Sequence, residues 1–342
     1  MTEETMKAIV LHEHGGNDKL TLDNDFPDPK AGPDDVVVRV RASSLNYHDV
    51  FTRRGMPGIR LDFPIIIGLD VAGEIAEVGA NVKHWKTGDR VLVDPIDRVN
   101  GGLVGETIHG GLAELCRVGA HQLIRLPEQV GFAEAAALPV AYGTALRMIE
   151  TIGRIKAGEK VLILGASGGV GVGAVQLAKL AGATVIAAAG SAEKAERLRA
   201  LGADDVILYN EEDFVKAIYS RYGKPGRRRN GPPGGVDVVV NFTGGDTWVK
   251  SLRCLRVGGR VLTCGATAGF DPKEDLRFIW TFELQVLGSN GWERDDLHRL
   301  LELVQGGQLK VLIDRQWPLD EGAQALASIE ARNVFGKVLV GA

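Results

Sequence analysis

Between Lys160 and Gly190 the chain reads KVLILGASGGVGVGAVQLAKLAGATVIAAAG. The apolar run Val161 to Leu164 has the length and composition of a buried strand. Gly165, Gly168, Gly169, Gly171 and Gly173 crowd the turn after it. A helix-patterned segment, Val175 to Leu180, and a second apolar run, Thr184 to Ala189, complete the stretch. Strand, glycine turn, helix and strand within about 30 residues is the size of a dinucleotide-binding βαβ unit. Gly168 and Gly171 let the backbone approach a pyrophosphate. The helix N-terminus adds unpaired N–H groups and the positive end of its dipole. The same glycines speak against a membrane span, which needs an unbroken apolar helix. GASGG, Gly165 to Gly169, also fits the G-x-S-x-G elbow of a hydrolase nucleophile. That chemistry needs a later histidine on a loop. Only His298 follows His121, and it sits in the helix-patterned DDLHRLLELV, so the dinucleotide reading is preferred.

The 342 residues, 45% of them hydrophobic, suit two domains with substantial cores. A net charge of −4 gives no reason to expect a nucleic-acid partner. Cys116, Cys254 and Cys264 lack CxxC spacing, which implies a reduced, cytoplasmic setting and no cysteine-built zinc site. MTEETMKAIV carries no apolar signal core.

Residues 1–130 hold short β-branched or alternating segments, Lys7–Leu11, Val36–Ala42, Gly73–Val78, Arg90–Val93 and Glu114–Val118, separated by the turn signals GPDD, KTGD and HGG. They predict a mostly antiparallel, barrel-like domain. Residues 131–286 alternate strand and helix, with strands expected at Lys160–Leu164, Thr184–Ala189, Asp205–Leu208, Val236–Asn241, Arg260–Cys264 and Glu283–Leu287. Such alternation predicts a doubly wound parallel sheet. The tail, 287–342, carries an amphipathic helix around Asp295–Gln305 and a last strand, Lys337–Val340, which is expected to return to the first domain. GKPGRRRNGPPGG, 223–235, reads as a solvated surface loop.

With these segments in view, the chain resembles the medium-chain dehydrogenase/reductase superfamily, and within it the zinc-free quinone oxidoreductase branch. The resemblance runs nearly end to end. It rests on LNYHDVFTRRG (45–55), FPIIIGLDVAGEIAEVG (63–79), WKTGDRVL (85–92), AAALPVAYGTAL (135–146), VLILGASGGVGVGAVQLAK (161–179), LGAD (201–204), LRVGGRVLTCG (255–265) and FGKVLV (335–340). It implies an α/β protein: a GroES-like β-barrel catalytic domain, 1–130 and 287–342, and a Rossmann coenzyme domain with a doubly wound parallel sheet, 131–286. The cleft between them would hold nicotinamide and substrate. The resemblance also implies a homodimer, with sheet edges around Arg260–Cys264 pairing between subunits.

Zinc-dependent alcohol dehydrogenases resemble the same segments. At the positions of their three catalytic zinc ligands stand Asn46, Leu69 and Val140. Leucine and valine have no donor atom, and an amide is a poor zinc ligand. DPIDRVNGGLVGETIHG, 94–110, matches their structural zinc loop and holds no cysteine; His109 reads as an exposed loop residue. No metal is therefore expected. Without a Lewis acid, a conjugated acceptor is the better substrate, because charge arriving with hydride delocalises and needs only hydrogen-bond donors. Asn46 is expected to offer its amide to a developing oxyanion, Tyr47 to donate a proton or hydrogen bond, and His48 to act as an acid or to pack. Asp49 and Asp70 match carboxylates behind the zinc and are expected to be structural, or to orient His48.

The end of the second Rossmann strand bears on the coenzyme. An acid there binds the ribose 2′-OH of NAD. Here Ala189 takes its place, followed by Gly190, Ser191 and Lys194, a G-S-x-x-K pattern seen in NADPH-using quinone reductases. A missing carboxylate removes repulsion, and Lys194 supplies charge for a 2′-phosphate. The resemblance adds Tyr209 beside that phosphate. It puts Ser167, Gly168, Gly169, Val170 and Gly171 at the pyrophosphate, and Thr144 behind the nicotinamide. Thr243 with Gly244 and Gly245, and Gly265 with Ala266, stand at strand ends; Arg332 and Asn333 lie in the tail. The sequence thus predicts a cytoplasmic, NADPH-dependent, zinc-free reductase of quinones or α,β-unsaturated carbonyls. Its partners would be a small-molecule substrate and a second copy of the chain, with neither membrane nor nucleic acid. The alternatives are a zinc-independent alcohol or ketone dehydrogenase and a nucleotide-bound, non-catalytic binding protein.

Overall fold

A computed structural model describes residues 4–226 and 234–341; most of the basic insert at 223–235 lies outside the described residues. The chain forms two compact units, Met1–Ala141 with Leu297–Ala342, and Tyr142–Asp296.

The first unit is built from β1 (Thr5–Leu11), β2 (Leu20–Pro27), β3 (Asp35–Leu45), α1 (Tyr47–Arg54), β4 (Ile65–Ile66), β5 (Asp70–Val78), β6 (Arg90–Val93), β7 (Leu115–Gly119), β8 (Leu123–Arg125) and α2 (Phe132–Ala136). Its larger sheet runs β15-β16-β3-β5-β6-β8, where β15 (Ile313–Pro318) and β16 (Lys337–Gly341) come from the tail. Pairing is antiparallel except between β15 and β16. The long β3, DVVVRVRASSL, organises the unit. One side pairs with β5 along nearly its full length, and the other is shared by β7 at Asp35–Arg39 and β16 at Ser43–Leu45. A smaller sheet runs β2-β1-β4.

The second unit opens with α3 (Thr144–Leu146) and then alternates: β9 (Lys160–Ile163), α4 (Gly169–Leu180), β10 (Thr184–Ala189), α5 (Ala192–Ala200), β11 (Asp205–Leu208), α6 (Phe214–Tyr222), β12 (Val236–Val240), α7 (Thr247–Cys254), β13 (Leu255–Thr263), α8 (Leu276–Thr281) and β14 (Gln285–Gly288). All pairings are parallel, in the order β11-β10-β9-β12-β13-β14. In sequence terms this is 3-2-1-4-5-6, the doubly wound arrangement with its switch point between β9 and β12. Val161, Leu162, Ile163, Val238, Val239 and Val240 are fully buried, as strands covered on both faces must be.

Beyond β14, α9 (Arg294–Gln305) leads back to the first unit, buries Leu297, Leu300, Leu301 and Leu303, and is followed by β15, α10 (Gly322–Glu330) and β16.

Three expectations shift. The unit boundaries fall at 141/142 and 296/297, beyond the expected 130/131 and 286/287. At the first, α2 packs against β3, β5 and β6 of the barrel sheet and so carries the chain onward with that unit. The sheet edge is not at Arg260–Cys264, because β13 has β12 on one side and β14 on the other; β14 and β11 are the edges. The strands β2, β4, β8 and β15 escaped the sequence reading, being very short or, like LTLDNDFP and IDRQWP, largely polar and exposed.

A buried charge joins three strands of the first unit. Lys337, first residue of β16 and 2% exposed, donates from Nζ to Leu45 O (2.9 Å) and to Asn46 Oδ1, and lies 3.5 Å from Asp70 Oδ2. Burial pushes the Lys337 ammonium down and the Asp70 carboxyl up, and the mutual attraction of the two opposes both shifts. Lys337→Met should cost about 3–5 kcal/mol, because it strands a buried carboxylate. The double variant Lys337→Met/Asp70→Asn should recover most of that loss in denaturant midpoint. Strictly additive losses would show that the pair is not coupled.

Candidate active site

In the second unit, parallel strands bring their C-terminal ends to one edge. There stand Gly165–Ser167 after β9, Gly190 after β10, Tyr209 after β11, Thr243–Gly245 after β12 and Gly265–Ala266 after β13. This edge is where such sheets bind ligands.

The glycines of the first turn divide by role. Gly165 has φ +67°, a left-handed conformation that side chains resist. A Cβ on Gly171 would lie 2.3 Å from Gly165 O, so Gly171 is needed for α4 to pack onto its own turn. A Cβ on Gly173 would press on Ala145 and Tyr142. Gly168 differs. It is the N-cap of α4 in extended backbone, φ −81° and ψ 174°, and a Cβ there would meet only Gly165 O, at 3.6 Å. Packing does not demand glycine at this position, although an N-cap favours it over alanine. Ser167, Gly169 and Val170, all partly exposed, share this helix end. Gly265 repeats the pattern at the end of β13: exposed, φ not positive, and nothing within 4 Å of a Cβ.

After β10 the chain turns at Gly190 into α5, whose N-cap Ser191 accepts from Lys194 N (3.3 Å). Tyr209 stands over this turn, so a Cβ on Gly190 would come 2.7 Å from its Oη. Asn210 Nδ2 donates to Gly190 O at 2.7 Å. After β12, the fully buried Asn241 accepts at Oδ1 from Thr243 N (2.9 Å) and Gly244 N (3.0 Å), and donates from Nδ2 to Ser251 Oγ (2.9 Å). It shapes the turn that presents Thr243. Asn210 and Asn241 escaped the sequence reading because an asparagine in a turn carries no sign of what its side chain will brace. Thr144 is buried within α3.

In the first unit the expected catalytic residues lie at the N-terminus of α1. Asn46 is its N-cap, and Asn46 N donates to Asp49 Oδ2 at 2.7 Å. Asn46 Nδ2 donates to Asp70 Oδ2 (2.9 Å) and Ser44 O (3.2 Å), while Oδ1 accepts from Lys337. Both amide hydrogens are therefore committed, which corrects the expectation that Asn46 donates to a substrate oxygen. Asp49, fully buried, also accepts from Gly68 N (3.1 Å); burial raises its carboxyl to about 6. Asp70 Oδ1 accepts from Val140 N (3.0 Å). Tyr47 is half-buried, edge-on to Phe51, and its hydroxyl makes no hydrogen bond among the described residues.

His48 is also half-buried, and its Nε2 lies 2.7 Å from Glu106 Oε2. Burial pushes the imidazole down, but the Glu106 hydrogen bond and the charges of Asp49 and Glu106 carry it above its ordinary value. Glu106 is 58 residues away in sequence, and nothing in the chain announces the pair. His109 is exposed as expected, with Nδ1 accepting from Ile66 N (3.2 Å). Arg332 and Asn333 are exposed before β16, Arg332 at φ +59°.

The positions that hold zinc in the resembling alcohol dehydrogenases carry a locked amide, a buried leucine and Val140. Among the described residues no group of three or more His, Cys, Asp or Glu is placed to hold a metal ion. The residues do not fit a zinc centre. No helix among the described residues is long and apolar enough to cross a membrane.

Converging strand ends with uncrowded glycines, on a 3-2-1-4-5-6 sheet, are the arrangement of a dinucleotide-binding protein. Comparison with known proteins agrees. Residues 32–128 match the alcohol dehydrogenase GroES-like domain, and residues 169–306 match the family described as zinc-binding dehydrogenase. An acryloyl-coenzyme A reductase of Sulfurisphaera tokodaii is 31% identical, over 98% of this chain and 99% of its own. The human quinone oxidoreductase is 29% identical, over 99% and 98%. A solved structure of the 2-octenoyl-CoA carboxylase reductase CinF in complex with NADP and 2-octenoyl-CoA superposes with a TM-score of 0.86 at 29% identity, covering 99% of this chain and 88% of that one. The chain belongs to the medium-chain dehydrogenase/reductase superfamily.

The contrast between the two glycines is testable. Gly171→Ala should unfold the second unit or lower its melting temperature sharply. Gly168→Ala should lower melting only slightly, by the lost N-cap preference, and weaken dinucleotide binding about tenfold, read by fluorescence titration; ~1.4 kcal/mol is the corresponding loss in binding. Unchanged binding by Gly168→Ala would remove the turn from the site.

Proposed function

We propose that this protein is an NADPH-dependent reductase of α,β-unsaturated carbonyls or quinones that works without zinc. The observation that carries the reading is the α1 N-terminus, where the amide at one ligand position is hydrogen-bonded on every side and the other two positions lack donor atoms. Relatives named quinone oxidoreductase and acryloyl-coenzyme A reductase support a conjugated acceptor.

NADPH fits the edge described. Gly168 and Gly265 leave room for it, and no carboxylate stands at Ala189 to repel a 2′-phosphate. Ser191, Lys194 and Tyr209 would hold that phosphate, and Ser167–Gly171, with the α4 N-terminus, the pyrophosphate. Thr144, Thr243, Gly265 and Ala266 would complete the cradle. When bound, the coenzyme supplies a hydride. Tyr47 and His48 are the donors left to meet charge on the acceptor oxygen and to return a proton, since Asn46 has none to give. Asn46, Asp70 and Lys337 form the rigid floor beneath them.

Three free cysteines are consistent with a reducing, cytoplasmic setting. A homodimer would use the open β14 edge, where Val286 is 46% exposed; a solution mass of one chain would rule it out.

The deciding experiment is a turnover screen with NADPH and metal-free protein on quinones, enals, enoyl thioesters and simple ketones. Reduction of conjugated acceptors without metal is expected. Ketone reduction alone would establish an alcohol dehydrogenase, and NADPH binding without any turnover a binding protein. Lys194→Ala should raise the Kd for NADPH at least tenfold and leave NADH within a factor of two; equal effects would refute the phosphate assignment.

A further inference from the structure

We propose that Glu106 is a positioning residue that holds the His48 ring by Nε2 and keeps Nδ1–H available as the acid that protonates the reduced substrate. This rests on the reading of the protein as a reductase of conjugated acceptors.

A carboxylate only accepts hydrogen bonds, so the 2.7 Å contact puts a proton on Nε2. Nδ1 makes no hydrogen bond among the described residues and is the nitrogen left for substrate. Held in this way the ring is either neutral, with Nδ1 bare, or cationic, with Nδ1 a donor. Burial opposes the cation, and the Glu106 hydrogen bond with the charges of Asp49 and Glu106 outweighs it. Glu106 faces it from the 94–110 loop, Asp49 follows it on α1, and Lys337 and Asp70 lie behind Asp49. A helix N-terminus by itself disfavours a cation, so the carboxylate has an effect to overcome.

The loop is built to deliver this side chain. Glu106 N donates to Leu103 O (3.1 Å), Leu103 N to Thr107 Oγ1 (2.8 Å) and Gly105 N to Ile108 O (2.7 Å). Gly105, at φ +77°, lies so close to Gly68 that a Cβ would be 3.0 Å from its backbone. Gly110 N and Gly111 N then donate to Ile66 O and Gly68 O. The loop is thus clamped on the segment that leads into Asp70, and Glu106 projects from its tip onto His48. Tyr47, the other candidate acid, has no comparable partner.

The step balances as follows. When bound, the coenzyme would supply a hydride to the substrate β-carbon and would itself be oxidised. The alkene π pair moves onto the α-carbon and carbonyl oxygen. The Nδ1–H bond breaks, an α-C–H bond forms, and the neutral ring regains its proton from water.

Glu106→Gln keeps an acceptor and removes the charge, and so separates the two roles. The first readout is independent of catalysis: the His48 imidazole is titrated by NMR through its Cε1–H signal, assigned with His48→Gln. The midpoint should be above that of an ordinary histidine in the wild type and should fall in Glu106→Gln; an unmoved midpoint overturns the proposal. The second readout is the pH profile on an enone. The basic limb of kcat should move to lower pH in Glu106→Gln, with a roughly tenfold loss at pH 8 and an unchanged Kd for NADPH, and His48→Gln should lose about a hundredfold. An unshifted limb with a lowered midpoint shows that His48 is not the acid and also overturns the proposal. If the wild type reduces no conjugated acceptor while the midpoint still falls, the functional reading itself fails, and the acid role with it.

Discussion

A single ammonium group buried where three strands meet sets the geometry of the first unit. Lys337 stands at the head of β16, with Leu45 ending β3, Asn46 capping α1 just after it, and Asp70 opening β5. An ion out of water must be paired and hydrogen-bonded or it is expelled. Satisfying Lys337 therefore fixes the register of all three strands and the face of the Asn46 amide. The rest of the α1 N-terminus follows from that: Asn46 is turned so that its amide hydrogens face Asp70 and Ser44, and Tyr47 and His48 are the next residues along the helix.

The second unit solves a different problem by simpler means. A parallel sheet with helices on both faces must leave one edge of loop ends where strands stop together. Its glycines are of two kinds that look alike in sequence. Gly171 and Gly173 permit contact between helix and surroundings, whereas Gly168 and Gly265 permit nothing that the described residues require. The first kind makes the fold; the second leaves bare backbone for a ligand. Asn241 and Asn210, each bracing a carbonyl or amide of a neighbouring turn, keep that edge rigid.

The apolar strands were legible in the sequence because apolar, β-branched runs bounded by turn residues have few alternatives. Thr184–Ala189, Asp205–Leu208 and Arg90–Val93 fall at their expected bounds. Polar, exposed strands such as β2 and β15 were not legible, because their pairing partners stabilise them and their own pattern does not. The same holds for sheet order: Arg260–Cys264 reads as well for an edge as for an interior strand, and only the placement of β14 beside it decides. At the site, residue types were legible and their states were not. Asn46 reads as a donor, yet its hydrogens are taken by Asp70 and Ser44, and the carboxylate that meets His48 is Glu106, 58 residues on, and not the neighbouring Asp49 or Asp70.

The order of strands, glycine turn and helix, and the residue types at Asn46, Leu69 and Val140, are local facts that the chain states outright. They settle the family, the coenzyme fold and the absence of donor atoms at Leu69 and Val140, because backbone conformation and ligand chemistry reside in single residues. Which hydrogens remain free, which glycines are spare and which carboxylate meets which imidazole are differences between neighbours that folding brings together. Those were decided by the tertiary structure alone, since hydrogen-bond capacity and desolvation belong to a place in space and not to a position in a sequence.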